Sequence, residues 1–408
     1  IERLPVNMPT WTSSELAYCS NVHAGITPED IINNLVNITA KVKNNRNLDK
    51  MHVGLWINQD AAQAYQSAQV LNNLKAVLAA EQLDVVTLNG FPQNNFHDAV
   101  VKEKVYLPTW AERARLDYTL DISKILASCM PDDVQQGTIS TLPLGYRINW
   151  NESYQQEACK QLCQYALAME QLEQETGKHI RLCLEMEPGC VLETTRQVIA
   201  FFTEQLPFIA EIEGVSQRIY QRYLGVCYDV CHQAVMQEDI QGSIAQLQKA
   251  GIVIGKVQIS SALKIDKPAD EKVRACLQTF AEPKYLHQLT TRDNDEFIFC
   301  DDLSIALAQT DFPTSKPWWC HFHLPIQLNE LTIDGEIIEG ITTTQASIEQ
   351  LCQYIAQSLP YAPHFEVETY TWQVLPSALS NNIDLAESIT KELAWFEQTL
   401  EKYQLLVS

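Results

Sequence analysis

Nine short β-rich runs recur along this chain at intervals of roughly 30–45 residues, with amphipathic stretches between them, the spacing of strand–crossover–strand units. The runs are Leu16–His23, His52–Ile57, Asp84–Phe91, Thr138–Tyr146, Ile180–Pro188, Leu224–Cys231, Ile252–Ala262, Trp319–Ile326 and His364–Trp372. The stretches between them are helical in pattern. Ile31–Val42 places Ile31, Ile32, Leu35, Val36, Ile38 and Val42 on one stripe. Ala62–Glu81, Arg113–Cys129, Ser153–Glu175, Glu193–Gln205, Glu238–Ala250, Ala269–Phe280, Thr343–Leu359 and Leu385–Tyr403 read the same way. Thr27-Pro28-Glu29-Asp30 and Thr343-Thr344 read as helix caps. Strict alternation implies parallel strands joined by helices. With no break midway, the pattern predicts an α/β fold, a closed (β/α)8 TIM barrel spanning residues 1–408 as one domain; two α/β halves are the second reading. Nine runs exceed eight strands. Trp319–Ile326 is therefore assigned to an insertion after strand seven, residues 281–326, on the catalytic face.

Charge narrows the function classes. Asp and Glu number 51 against 29 Lys and Arg, a net charge of −22. A field of that sign repels a phosphate backbone, so no nucleic-acid partner is expected. No apolar run approaches the ~18–20 residues of a membrane span. Ile1–Ser13 lacks the charged-then-apolar pattern of a leader. The twelve cysteines are scattered, with no C-x-x-C, and read as buried thiols of a reducing, cytoplasmic protein. Neither G-x-x-x-x-G-K nor G-x-G-x-x-G occurs, so no nucleotide cofactor is indicated. Apolar helix faces here suit core packing and a subunit interface alike, which leaves the oligomeric state open.

In a closed barrel, chemistry sits at the C-terminal strand ends. Strand five ends in Glu185-Met186-Glu187, strand six in Asp229-Val230-Cys231-His232, strand seven carries Gln258, and the last strand ends in Glu366-Val367-Glu368. Carboxylates in otherwise apolar strands are expensive unless paired or metal-bound. By the period of two, Glu185 and Glu187 share one face, as do Glu366 and Glu368, and both pairs are expected to converge with Asp229 across the mouth. Oxygen donors with an occasional imidazole suit a divalent ion: Mn, Zn, Mg or Co. The metal set is then Glu185, Asp229, Gln258 and Glu368. His232, Glu187, His23, Asn89, His321 and His323 are expected to contact substrate. Taken singly, each of these is equally well read as a salt-bridged or hydrogen-bonded structural residue.

Leu184-Glu185 with Gly189, the run Gly225-Val226-Cys227-Tyr228-Asp229-Val230-Cys231-His232, and Val367-Glu368-Thr369 resemble the xylose isomerase-like barrels. That group includes sugar epimerases, inosose dehydratases and type IV apurinic endonucleases. The resemblance implies metal-binding roles for Glu185, Asp229 and Glu368. It implies a substrate-facing His232, which in the endonuclease binds a further zinc. Gln258 stands where the group has a histidine. Over nearly the whole chain, strings such as Leu16–Gly25, Leu88–Pro92, Val101–Pro108, Glu187–Cys190, His321–Pro325 and Glu366–Trp372 resemble the EboE-type metabolite-traffic family.

Two functions compete on this reading. One is a metal-dependent isomerase or epimerase of a sugar, polyol or cyclitol-like metabolite, with Glu185 and Glu368 as catalytic carboxylates. The other is a non-catalytic metabolite carrier on the same barrel, which the Gln258 departure favours. A type IV endonuclease-like phosphoesterase is the weakest, given the acidic charge.

Overall fold

The chain is described by a computed structural model over residues 8–333, 335–380 and 384–407. Residues 1–7 of the opening segment read for a leader lie outside the described residues. Eight strands form one sheet: β1 (Ala17–Tyr18), β2 (Met51–Trp56), β3 (Leu83–Asn89), β4 (Gln136–Thr141), β5 (His179–Glu185), β6 (Leu224–Asp229), β7 (Ile254–Ile259) and β8 (His364–Val367). They run parallel in the order β1-β8-β7-β6-β5-β4-β3-β2. A single parallel bridge from Cys19 to Gly54 joins the two end strands, so the sheet curls into the expected (β/α)8 barrel. Each strand overlaps one expected run, and the ninth run, Trp318–Leu324, lies outside the barrel.

Helices fill the intervals as their apolar stripes require. Thr27 caps Pro28–Asn34 through a reciprocal box with Asp30. That helix continues through a π turn, Leu35–Thr39, into Ala40–Asn45. The expected stretch Ala62–Glu81 is two helices, Gln59–Ala64 and Ala68–Glu81. Gln217–Tyr223, Val230–Val235 and Leu303–Ala308 are helical too, each at most two turns long and so too short to show a period. The Thr343-Thr344 cap works differently from the expectation. Thr343 Oγ1 accepts the Gln345 N–H, whereas Thr344 Oγ1 accepts the Ala262 N–H and ties the helix to a neighbouring sheet.

That neighbouring sheet is antiparallel and six-stranded, in the order Glu296–Cys300, Leu289–Asp293, Trp318–Leu324, Ser261–Ile265, Glu336–Thr343, Glu330–Ile333. It starts at Ser261 and ends at Thr343, so the excursion is longer on both sides than 281–326. The cause is a change of direction at Ser260. The run Ile252–Ala262 is not one strand; it leaves the barrel after Ile259 and pairs antiparallel with Trp318–Leu324. A register irregularity falls between Cys320 and His323, of the kind that re-aims side chains beside a site.

The barrel interior holds an ion pair. Lys256 Nζ lies 2.5 Å from Glu366 Oε2, both side chains fully buried, and donates to Leu88 O at 3.3 Å and Ser140 Oγ at 3.2 Å. Gly54 makes room for this layer: a Cβ there would fall 1.6 Å from Glu366 Oε1.

Candidate metal centre

Glu185 ends β5, Asp229 ends β6, and Glu368 follows β8 by one residue. One oxygen from each lies within 4.8 Å of the other two, and all three side chains are buried. The sequence therefore brings these acids together as expected. Glu366 does not join them. It sits one layer lower with Lys256, because two residues along a strand on the same face is also one step down the barrel axis.

Asp229 and Glu368 are held by hydrogen bonds, and Asp229 and Glu185 each keep a buried oxygen to spare. Asp229 Oδ1 accepts the Ser260 hydroxyl at 2.7 Å and the His232 N–H at 2.9 Å, the latter capping helix Val230–Val235. Asp229 Oδ2, 3.8 Å from His232 Nε2, has no hydrogen-bond partner among the described residues, and neither does Glu185 Oε2. Glu368 Oε1 accepts Asn21 Nδ2 at 2.8 Å and Asn89 Nδ2 at 3.1 Å. Gln258, in register between Asp229 and Glu366, is fully buried with neither amide atom partnered. Burial pushes Glu185 up to about 8, held back by His232 and helped by Asp229 and Glu187. Burial, then Glu185, Asp229 and Glu366, puts Glu368 well above the usual carboxylate range. Acids this close cannot all ionise without a counter-charge. Three carboxylates converging from three strand ends, two of them with a buried oxygen free of hydrogen bonds, fit a divalent cation held by Glu185, Asp229 and Glu368, with the Gln258 amide oxygen beside them.

Glu187 flanks this set. The Tyr106 hydroxyl donates to Glu187 Oε1 at 2.7 Å, and Gln288 Nε2 donates to the Tyr106 oxygen at 2.8 Å. Burial raises Glu187 to about 7, against the attraction of His232 and the Tyr106 hydrogen bond. The turn that carries Glu187 depends on Gly189, whose φ of +83° favours glycine and where a Cβ would meet the Tyr146 ring at 2.5 Å. His232, His321 and His323 stand against one another, with ring centroids 4.5, 5.6 and 5.3 Å apart. Burial opposes a charge on His232, but Asp229, Glu187 and Glu185 outweigh it and raise its pKa. Burial and the neighbouring imidazoles drive His321 well below the ordinary value, and burial takes His323 down to about 4.

A cavity opens above the acids. Asn21, Asn89, Glu185, Glu187, His232, His321 and Glu368 form its polar floor. Phe91, Phe96, Val101, Tyr285 and Tyr370 form an apolar wall, within which Phe96 stacks on Tyr285 at 4.9 Å.

His23 is the expected site residue that the structure sets apart. Its Nε2 lies 3.1 Å from the Tyr18 hydroxyl, and it faces a separate cavity with Ser20, Leu35 and Trp56. The chain leaves β1 after only two residues and turns through a 3-10 helix, Ser20–Val22, so Asn21 reaches the acids and His23 does not. Asn89 acts on Glu368 and also accepts the Phe91 N–H at 3.0 Å. Tyr106, Ser260, Lys256 and Gln288 are site neighbours beyond the expected set. Lys256 and Ser260 share the face of Gln258 by the period of two, a signal present in the sequence; Tyr106 and Gln288 sit in segments with no such marker.

No protein-family profile and no curated protein matches the chain. Solved structures do. A xylose isomerase domain protein from Planctomyces limnophilus is 10% identical, with 97% of this chain and 99% of that chain covered and a TM-score of 0.51. A xylose isomerase domain protein from Alicyclobacillus acidocaldarius is 12% identical over 95% and 99%, TM-score 0.47. An IOLI protein with a bound zinc atom is 10% identical over 95% and 98%, TM-score 0.44. The likeness to the first of these shows the fold, a xylose isomerase-like TIM barrel. Among the described residues no helix is long and apolar enough to cross a membrane.

Proposed function

We propose that the protein is a divalent-metal-dependent isomerase or epimerase of a hydroxylated, carbonyl-bearing metabolite of the sugar, polyol or cyclitol type. The observation that carries this is the convergence of Glu185, Asp229 and Glu368, with oxygens of Glu185 and Asp229 free of hydrogen bonds, beneath a cavity lined by polar groups and by an apolar wall. A divalent ion bound there supplies Lewis acidity toward a substrate oxygen. Glu185 and Glu368 come from β5 and β8, on either side of Asp229 in the sheet order, so their carboxylates reach one spot from two sides. The ionised one would take a proton from the carbon next to the carbonyl, and the other, already protonated, would deliver its own proton to the opposite face, after which both re-equilibrate with solvent. Asn21 and Asn89 hold Glu368 in place for that transfer. His232 and Glu187 orient substrate hydroxyls. The EboE-type resemblance adds a role in secondary-metabolite traffic. Twelve unpaired thiols accord with a reducing, cytoplasmic setting.

The test is solvent-deuterium exchange into a panel of ketoses, inososes and polyol-derived ketones, with Mn²⁺, Co²⁺, Mg²⁺ or Zn²⁺ added. Metal-dependent exchange that falls ~10²–10⁴-fold in Glu185→Gln and Glu368→Gln is expected. Tight metabolite binding with no exchange under any metal refutes it in favour of a carrier. That second reading is favoured by Gln258 at the strand-seven position and by the apolar wall around Phe96, Tyr285 and Tyr370.

A further inference from the structure

The cavity above the acids has two sides that ask for different chemistry. Its floor offers carboxylates, amides and imidazoles. Its other side comes from three excursions out of the barrel. The segment after β3 gives Phe96, Val101 and Val105, the inserted segment gives Tyr285 and Leu286, and the exit from β8 gives Tyr370. Phe96, Val101 and Tyr285 join Trp56 in a buried cluster apart from the barrel core.

This side has little to offer a hydroxyl. Phe96, Val101, Val105 and Leu286 carry no polar side-chain atom. The Tyr285 hydroxyl donates to Phe96 O at 3.3 Å, and at the rim Lys102 Nζ lies 2.6 Å from Asp302 Oδ2. The wall is also fixed in place. The Val101 and Lys102 N–H groups donate to Lys284 O at 2.8 and 3.0 Å, and the rings of Phe96, Tyr285 and Tyr370 pack pairwise at 4.9, 5.3 and 5.1 Å. Phe96, Val101 and Val105 line a neighbouring cavity as well, together with Val100 and Leu107, which are 47% and 50% exposed. The apolar side therefore continues outward to solvent.

A sugar or cyclitol carries hydroxyls around its whole ring. Each hydroxyl buried without a partner weakens binding by on the order of tenfold. A ligand hydroxylated on every side therefore matches the floor and wastes the wall, whereas one with a hydrocarbon end matches both. We propose that the substrate is amphiphilic: a hydroxylated, carbonyl-bearing head seated on the acids, joined to a hydrocarbon substituent, alkyl or aryl, that lies along Phe96, Val101, Val105 and Leu286 toward the outer cavity. This names the substrate class of the site described above. It rests on that reading for the position of the head, and not on turnover there.

The full-length protein loaded with Mn²⁺ is titrated calorimetrically with hydroxyacetone and with its homologues in which the methyl group is lengthened to propyl or hexyl or replaced by phenyl. These probes share the smallest head bearing both a hydroxyl and a carbonyl, and differ in hydrocarbon alone. Affinity is expected to rise about fourfold for each added methylene that is buried. The phenyl probe distinguishes an aryl from an alkyl substituent by binding more or less tightly than the hexyl one. Phe96→Ala and Val105→Asn are each expected to flatten the series. A flat series in the wild type overturns the proposal, as does binding of no member, or a series equally steep in both variants. Should a variant fail to fold, a crystal structure of the wild type with the hexyl probe decides, since a chain lying anywhere but along Phe96 and Val105 overturns the proposal. A steep series without deuterium exchange keeps this proposal and loses the isomerase. Exchange into free sugars with a flat series does the reverse.

Discussion

Glu187→Gln separates the electrostatics of the site from its chemistry. Glu187 is held at about 7 from an ordinary 4.5, with burial the largest cause. A carboxyl raised in this way keeps a proton in the fold that the unfolded chain releases, so the folded state binds more protons between those two values. Stability then falls as pH rises from about 4.5 to about 7, and the loss is complete above that. The shift corresponds to about 3 kcal/mol at ~1.4 kcal/mol per pH unit. Glutamine removes the titration and keeps the contact, because its Oε1 still accepts the Tyr106 hydroxyl now 2.7 Å away. The variant is therefore expected to match the wild type within ~1 kcal/mol near pH 5 and to exceed it by up to about 3 kcal/mol at pH 8. For a chain of 408 residues this is about 4 °C in Tm, taking ~2.1 cal/mol/K of unfolding entropy per residue. Scanning calorimetry at pH 5 and pH 8, with chelator present to keep added ions out, reads the difference. A difference in Tm that does not change with pH, or a variant less stable than wild type at pH 8, refutes the reasoning.

The remaining expectations concern charge balance. Lys256→Met strands Glu366 in the barrel interior and is expected to cost about 3–5 kcal/mol in denaturant unfolding, more than half of it recovered in Lys256→Met/Glu366→Gln; no recovery would show that the pair is not coupled. Asn89→Ala removes one of the two amides on Glu368 and is expected to weaken Mn²⁺ or Zn²⁺ affinity ~10–100-fold by calorimetric titration, with an unchanged affinity counting against the centre. A divalent ion at 100 times its Kd is expected to add about 2.7 kcal/mol at pH 8, seen as a rise in Tm, and much less at pH 5, where Glu185 and Glu368 hold protons.

The parts of this molecule that were legible in its sequence are the parts governed by local periodicity. A buried parallel strand and an amphipathic helix each repeat their signal over several residues, so the eight barrel strands and the long helices stand out. Strand ends also carry their own marker, since an acid at the end of an apolar run is conspicuous, and this found Glu185, Asp229 and Glu368. What escaped is set by events one or two residues long. The turn at Ser260 splits a continuous apolar run between two sheets, and nothing in Ile259-Ser260-Ser261-Ala262 distinguishes that turn from a strand. The exit of the chain from β1 after Tyr18 decides that Asn21, and not His23, reaches Glu368. Tyr106 and Gln288 lie in loops, where tertiary contact alone puts them beside Glu187.

The same turn at Ser260 explains how the site gains two of its three imidazoles, His321 and His323. Strand seven offers Gln258 at the position facing Asp229, so the barrel wall itself contributes no histidine there. Two residues later, the Ser260 hydroxyl fixes Asp229 Oδ1, and the backbone turns into the sheet whose central strand bears His321 and His323. Regular alternation would put these two histidines and Phe322 on opposite faces, and Phe322 does turn away, against Phe280 at 5.1 Å. The irregularity between Cys320 and His323 falls across this stretch, where such a bulge bends the strand and re-aims its side chains. His321 and His323 thus depend on the inserted sheet, while His232 and the carboxylate set depend on the barrel, and Asp229 groups with both. A change confined to the register of Trp318–Leu324 should therefore move His321 and His323 and leave His232, Glu185 and Glu368 where they are.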